Sequence, residues 1–277
     1  LLLIVISMAV CPLTEYLYEK GMKKPVTIAD GSALVTGLLL AMNMPVQAPL
    51  WMPVIGGVFA ILVVKQLFGG LGQNFANPAI VGRIVLMLSF TSNMTTWAIP
   101  KYFSAQTNSS DTYLMLGDNK IITGATPLVT GDASYKDLFL GNVGGCIGET
   151  CALALIIGGV YLIIRGIISP VTPIAFIGTV ALLDLVAGND VIYNMLAGGL
   201  LLGAFFMATD YVTTPITGKG KLIFGIGCGL ITFLIRQFGS YPEGVSFSIL
   251  LMNIVTPYID RFTMTKPFGA KKEVREK

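Results

Sequence analysis

The 277-residue chain contains no histidine. That removes histidine metal ligands and the side chain best suited to proton transfer near neutral pH. Charge is scarce too: 12% of residues are Asp, Glu, Lys or Arg, against about a quarter in a soluble domain. There are four cysteines, Cys11, Cys146, Cys151 and Cys228, and no CxxC. Three sit in apolar runs and read as small buried hydrophobes. Cys146 and Cys151 lie five apart, where a helix is expected to begin, and do not make a cluster site by themselves. No metal site is expected. The net charge of +3 is small, and no nucleic-acid partner is expected. The chain begins at Leu1, inside an apolar run and without Met, so it reads as trimmed at its N-terminus. No cleavable signal peptide is recognisable.

What is present is apolar. Hydrophobic residues make up 54% and the mean hydropathy is +0.76. This composition predicts an all-α polytopic membrane protein, a single membrane domain over 1–277. About nine segments are expected: 1–18, 31–45, 51–68, 78–91, 142–164, 170–187, 191–208, 220–238 and 245–262. The runs at 31–45 and 78–91 are short for a span of about 20 residues. Between the third and fourth runs lies Gly69-Gly70-Leu71-Gly72-Gln73-Asn74-Phe75-Ala76-Asn77-Pro78, uncharged and rich in Gly and Asn. Irregular backbone at membrane depth is tolerated only where protein packs on it or it lines a cavity. Pro78 suits the first turn of a helix, with Asn77 as its cap.

The charges orient the chain. With loop 19–25 inside, 13 of the 18 Lys and Arg fall inside, counting Lys65 and the basic tail 263–277. Four fall outside (Lys101, Lys120, Lys136, Arg236), and Arg83 lies within the membrane. The positive-inside rule is met. The polar interval 92–141 is then outside and the C-terminus inside. A weak internal repeat joins about 28–91 to about 191–262. Gly37–Ala41 echoes Gly199–Gly203, and Lys65-Gln66-Leu67-Phe68-Gly69 echoes Ile235-Arg236-Gln237-Phe238-Gly239. The copies run in opposite directions, an arrangement found in transporters with a central site.

Inside the polar interval, Thr123-Gly124-Ala125-Thr126-Pro127-Leu128 places Thr126 between Gly-Ala and Pro. Such a sequence predicts a tight, exposed turn with an available hydroxyl. Carboxylates within membrane segments are functional candidates by default. Glu149, Asp184 and, near the inner end, Asp210 are the candidates for an ion path, Glu149 being expected one turn into a helix. Arg83, within a membrane segment, is expected to be functional or paired.

Taken together, the Gly/Asn loop 69–79, the Thr-Gly-Ala-Thr-Pro-Leu hexapeptide, Ala208-Thr209-Asp210 with 213–221, and Tyr241-Pro242-Glu243-Gly244-Val245 resemble one family. This is the family of the D subunit of the Rnf complex, related to the B subunit of the sodium-pumping NADH:quinone reductase. The resemblance covers the chain from Leu1, without the family's N-terminal part. It implies a multi-pass protein of the bacterial cytoplasmic (inner) membrane. It implies FMN held covalently by a phosphoester on Thr126, within Thr123, Gly124 and Ala125, and installed by a flavin transferase. It also implies a non-covalent riboflavin near the cytoplasmic side, against Asn74 and Asn77, and with it Arg83 reads as a flavin or carboxylate partner. The complex would relay electrons between ferredoxin and NAD and export Na⁺ or H⁺, with Fe–S clusters, further FMN and the NAD site on other subunits. One departure stands out. The family's transferase motif opens with Asp six residues before the modified Thr, and here that position is Lys120, with Asp118 the nearest acid. Two other readings of the residues are a stand-alone solute transporter or channel without flavin, and a structural scaffold that seats redox partners.

Overall fold

The computed structural model describes residues 1–98, 112–116, 119–124, 126–131, 133–239 and 244–264. Helix dominates. The first half runs α1 (Leu2–Gly21), α2 (Ser32–Met42), α3 (Met52–Val58), α4 (Pro78–Ser89) and the short α5 (Thr91–Met94). α3 continues as a π-helix over Phe59–Gln66. Two short helices follow, α6 (Pro127–Thr130) and α7 (Tyr135–Leu140). The second half runs α8 (Ala152–Ile164), α9 (Val171–Ala187), α10 (Val191–Leu196), α11 (Leu200–Leu202), α12 (Gly218–Phe238) and α13 (Val245–Thr263). α11 passes into a second π-helix, Gly203–Met207. By length and composition α1 and α12 could cross a membrane, and five further apolar helices are shorter.

The surface is apolar where lipid is expected. Leu185, Val186 and Ile164 are more than 70% exposed on α9 and α8. Large apolar side chains are exposed on most of the other long helices as well, more than a water-soluble chain usually leaves uncovered. The core lies between the halves: Leu40 of α2, Ile80 and Leu86 of α4, Phe176 of α9 and Phe224 of α12 are fully buried in one cluster.

Four expectations change. The fold is not all-α: β1 (Trp97–Ala98), β2 (Thr112–Leu116) and β3 (Asn119–Gly124) form an antiparallel sheet of order β1-β3-β2 in the polar interval. Thr123 pairs with both Ala98 and Thr112. Thr, Tyr, Ile and Leu favour a pleated strand. The run 142–164 is helical only from Ala152. Residues before it pack on the end of α2, where Ile147 and Gly148 amides reach the Met44 and Met42 carbonyls at 3.0 and 2.8 Å. Those carbonyls have no partner within their own helix, so the loop supplies one. The run 191–208 breaks at Ala197–Gly199, where Gly198 takes φ 70°, a left-handed conformation that Gly adopts without a Cβ penalty. Lys65, counted among the inside charges, is 2% exposed and ion-paired.

Candidate functional site

Thr126 stands at the start of α6. Its backbone is extended (φ −65°, ψ 155°) and Pro127 occupies the first helical position, as the local chemistry dictates. Its exposure differs from expectation: Thr126 is 2% exposed. The Tyr193 hydroxyl of α10 donates to the Pro127 carbonyl at 2.7 Å, and Leu128 packs on Gly198. Those contacts pull the segment against the helices. The Thr126 hydroxyl makes no hydrogen bond among the described residues. A buried, unpaired hydroxyl is costly, and a covalent substituent on that oxygen would remove the cost. Thr123 and Gly124 lie on β3, and Ala125 lies outside the described residues.

The Gly/Asn loop enters α4. Gly69, Gly70 and Gly72 all have positive φ, so this backbone needs glycine. Asn77 caps α4, its Oδ1 accepting from Ala79 and Ile80 amides at 3.0 and 3.4 Å. Its amide nitrogen donates to the Met207 carbonyl at 3.4 Å, at the end of the second π-helix. Asn253 of α13, oriented to pair both its ends, joins the Asn77 amide (3.1 Å) to the Thr213 carbonyl (3.2 Å). Asn77 is thus held by structure, whereas the buried Asn74 Oδ1 has no partner among the described residues. Asn74 is the side chain here with an acceptor to offer a ligand.

Arg83 lies six residues beyond Asn77 on α4, about 9 Å along the axis. Its guanidinium donates to Asn43 Oδ1 and Ser246 Oγ, both at 2.9 Å, and to Cys146 Sγ at 3.6 Å. Glu149 lies in the loop before α8, not within a helix, and its Oε1 accepts from the Cys146 amide at 2.8 Å. A Cβ on Gly199 would sit 3.1 Å from Glu149 Oε2 and 3.8 Å from Arg83 Nη1. So Arg83 and Glu149 converge on the break before α11. Three interruptions, at Asn43, 144–150 and 197–199, meet at one buried charged cluster. The sequence signals for Asn43, Cys146 and Ser246 were only their polarity at helix ends.

Among the described residues the ion-path candidates occupy three separate places. Asp210 accepts from the Thr213 hydroxyl at 3.0 Å and closes its own turn. Asp184 lies at the other end of α9, 3% exposed, accepting from Asn189 at 3.1 Å.

One buried network was not anticipated. Glu15 on α1 is fully buried and pairs with Lys65 Nζ at 2.6 Å. Gln66 donates to the same carboxylate oxygen at 2.7 Å, and Lys65 also donates to Ser32 Oγ at 2.6 Å. Glu19 accepts from the Thr27 hydroxyl at 2.5 Å. Beside it, burial works against ionising Asp30, but the Ser32 hydroxyl and amide outweigh it and hold the carboxyl below its usual range. The available signal was Glu15 and Glu19 four apart on an apolar helix, which places both on one face. Among the described residues no group of three His, Cys, Asp or Glu could hold a metal.

A profile of the NQR2, RnfD, RnfE family matches residues 1–269. The chain belongs to that family. It is 51% identical to the D subunit of the Na⁺-translocating ferredoxin:NAD⁺ oxidoreductase complex of Acetobacterium woodii, over 95% of this chain and 80% of that protein. It is 47% identical to the proton-translocating counterpart of Clostridium ljungdahlii, over 94% and 81%. It is 39% identical to the D subunit of the ion-translocating oxidoreductase complex of Escherichia coli O1:K1, over 94% and 84%. These relatives are subunits of an ion-translocating oxidoreductase, and the resemblance seen in the motifs is borne out.

Proposed function

We propose that this chain is the membrane electron-transfer subunit of an Rnf-type ferredoxin:NAD oxidoreductase that exports Na⁺ or H⁺. It works in the bacterial inner membrane beside subunits carrying Fe–S clusters, FMN and the NAD site. Thr126 carries FMN as a phosphoester on the outer face, installed by a flavin transferase. A non-covalent riboflavin sits at the inner Gly/Asn loop, where Asn74 accepts from it and Arg83 lies further along α4. The observation that carries this is the buried Thr126 hydroxyl, without a partner among the described residues, in the family's Thr-Gly-Ala-Thr context.

The flavins, when bound, supply one- and two-electron transfer, and the protein supplies position and electrostatics. Pro127 and Tyr193 hold the tether point on α10, so the cofactor needs no binding energy of its own. The three glycines of the inner loop let backbone approach a planar ring closely. Arg83, buried among Asn43, Ser246 and the neighbourhood of Glu149, keeps a positive charge between the two faces. A buried cation favours added electron density nearby, because low dielectric strengthens the attraction. We also read 28–91 and 191–262 as inverted repeats, with the two π-segments as their irregular elements.

The test is intact mass and in-gel flavin fluorescence of the subunit purified from cells that hold the transferase, for wild type and Thr126→Ala. A fluorescent adduct in wild type and none in Thr126→Ala is expected. A colourless wild-type subunit, without riboflavin as well, would overturn this function in favour of a flavin-free transporter.

A further inference from the structure

An outward-facing cavity of about 310 Å³ lies between α9, α10 and α12. Leu128 and Gly131, just past Thr126, form part of its wall. Gly198 brings the two together: a Cβ there would meet Leu128 Cδ1 at 2.6 Å and Arg236 Nη2 at 3.3 Å. The cavity is therefore within reach of anything tethered at Thr126. Its polar wall includes Asp184, Asn189, Arg236 and Gln237, and Phe233 with Leu128 is apolar. Asn189 donates to Asp184 Oδ1 and to Gln237 Oε1, both at 3.1 Å. Asp184 lines the cavity, and its buried Oδ2 has no hydrogen-bond partner among the described residues. The Gln237 oxygen is occupied, which leaves its amide N–H groups to donate. The wall thus offers an unused acceptor beside an unused donor, backed by apolar side chains.

We propose that this cavity seats the pyrimidine edge of the flavin tethered at Thr126, with Asp184 accepting from the ring N–H and Gln237 donating to an adjacent ring carbonyl. This rests on the FMN assignment above. The isoalloxazine edge alternates carbonyl, N–H and carbonyl, which matches an acceptor next to a donor. A carboxylate at that edge disfavours added electron density on the ring, so Asp184 and Gln237 are positioning residues that set the cofactor's potential.

The experiment is a redox titration of the Thr126-bound flavin in the intact complex, with in-gel fluorescence confirming the adduct. Asp184→Asn keeps the shape and removes the charge. The midpoint potential should rise by roughly tenfold in the reduction equilibrium, ~30 mV for a two-electron couple. Gln237→Glu adds a charge at the solvent-exposed rim and should shift the potential downward by less. Opposite shifts with the adduct retained support the seat, because a merely structural role gives no sign dependence. Adducts retained with both potentials unchanged overturn it. So does an unchanged potential with altered Na⁺ dependence of transport, which would assign Asp184 to the cation. A wild-type subunit without adduct removes the FMN assignment itself, and this seat with it.

Discussion

Lys65→Met isolates the energetics of the buried inner network. The perturbation leaves side-chain volume nearly unchanged and removes one charge. Glu15 Oε1 then keeps only the Gln66 amide, where before it had Lys65 at 2.6 Å and Gln66 at 2.7 Å. Among the described residues Glu15 Oε2 has no partner to compensate. An exposed pair would be worth about 0–1 kcal/mol. Here the two side chains are 2% and 0% exposed, so the buried case governs. Removing one partner of a buried pair costs about 3–5 kcal/mol, because the remaining charge is uncompensated. At about 2–4 °C per kcal/mol for chains of 150–250 residues, the midpoint should fall by about 6–20 °C. Thermal unfolding in detergent, followed by size-exclusion of the surviving fraction, reads this directly. The double variant Glu15→Gln/Lys65→Met removes the stranded charge and should recover most of the loss, since replacing both partners is often near neutral. A single-variant loss below about 1 kcal/mol, or a double variant no better than the single, would refute the buried-pair reasoning.

Two further predictions concern packing and pH. Gly37→Ala on α2 would place a Cβ 2.5 Å from the Ser7 carbonyl oxygen, which is backbone and cannot swing away, so about 1–3 kcal/mol should be lost in the same thermal assay. Gly178→Ala on α9 meets nothing within 4 Å and should gain about 0.5–1 kcal/mol from helix propensity. Equal effects of the two would sink the close-approach argument. At the start of α7 the Tyr135 phenol donates to Asp190, and that hydrogen bond, with the Tyr193 amide, holds the Asp190 carboxyl below its usual range. The same bond pushes the Tyr135 phenol up. A depressed carboxylate stabilises the fold above its unfolded pKa and loses that contribution as pH falls through its folded value. Tyr135→Phe should therefore lower the midpoint slightly at pH 7, and the difference should shrink in acid. A difference that grows on acidification would contradict the pairing.

The local signals in the sequence were reliable where one residue type answers one backbone need. Asn77 caps α4 and Pro78 starts it because a side-chain acceptor and a fixed φ suit that junction, and both are found there. For Arg83 the expected partner was a carboxylate or a flavin, whereas the hydrogen bonds described above go to Asn43, Ser246 and Cys146. Composition named the class because so few charges leave little to solvate. What the pattern could not convey was where helix geometry fails inside an apolar run. Hydropathy is blind to the change from α to π over Phe59–Gln66, since every side chain there is apolar until Lys65. The break at 197–199 had a signal, Gly198-Gly199, but glycines in membrane helices also serve close packing, so the signal is ambiguous. Long-range partners were invisible for a different reason. Glu15 and Lys65 lie 50 positions apart, and nothing local to either says that the other neutralises it. Thr126 makes the same point in reverse. Gly-Ala and Pro correctly set an extended residue ahead of a helical turn, yet its burial is decided by Tyr193, which reaches back 66 residues to the Pro127 carbonyl. Had it stayed exposed, its hydroxyl would be solvated and chemically ordinary. Drawn against α10 without a partner, it is the one threonine oxygen among the described residues whose burial has no internal compensation, and that makes it the place to look for an added group.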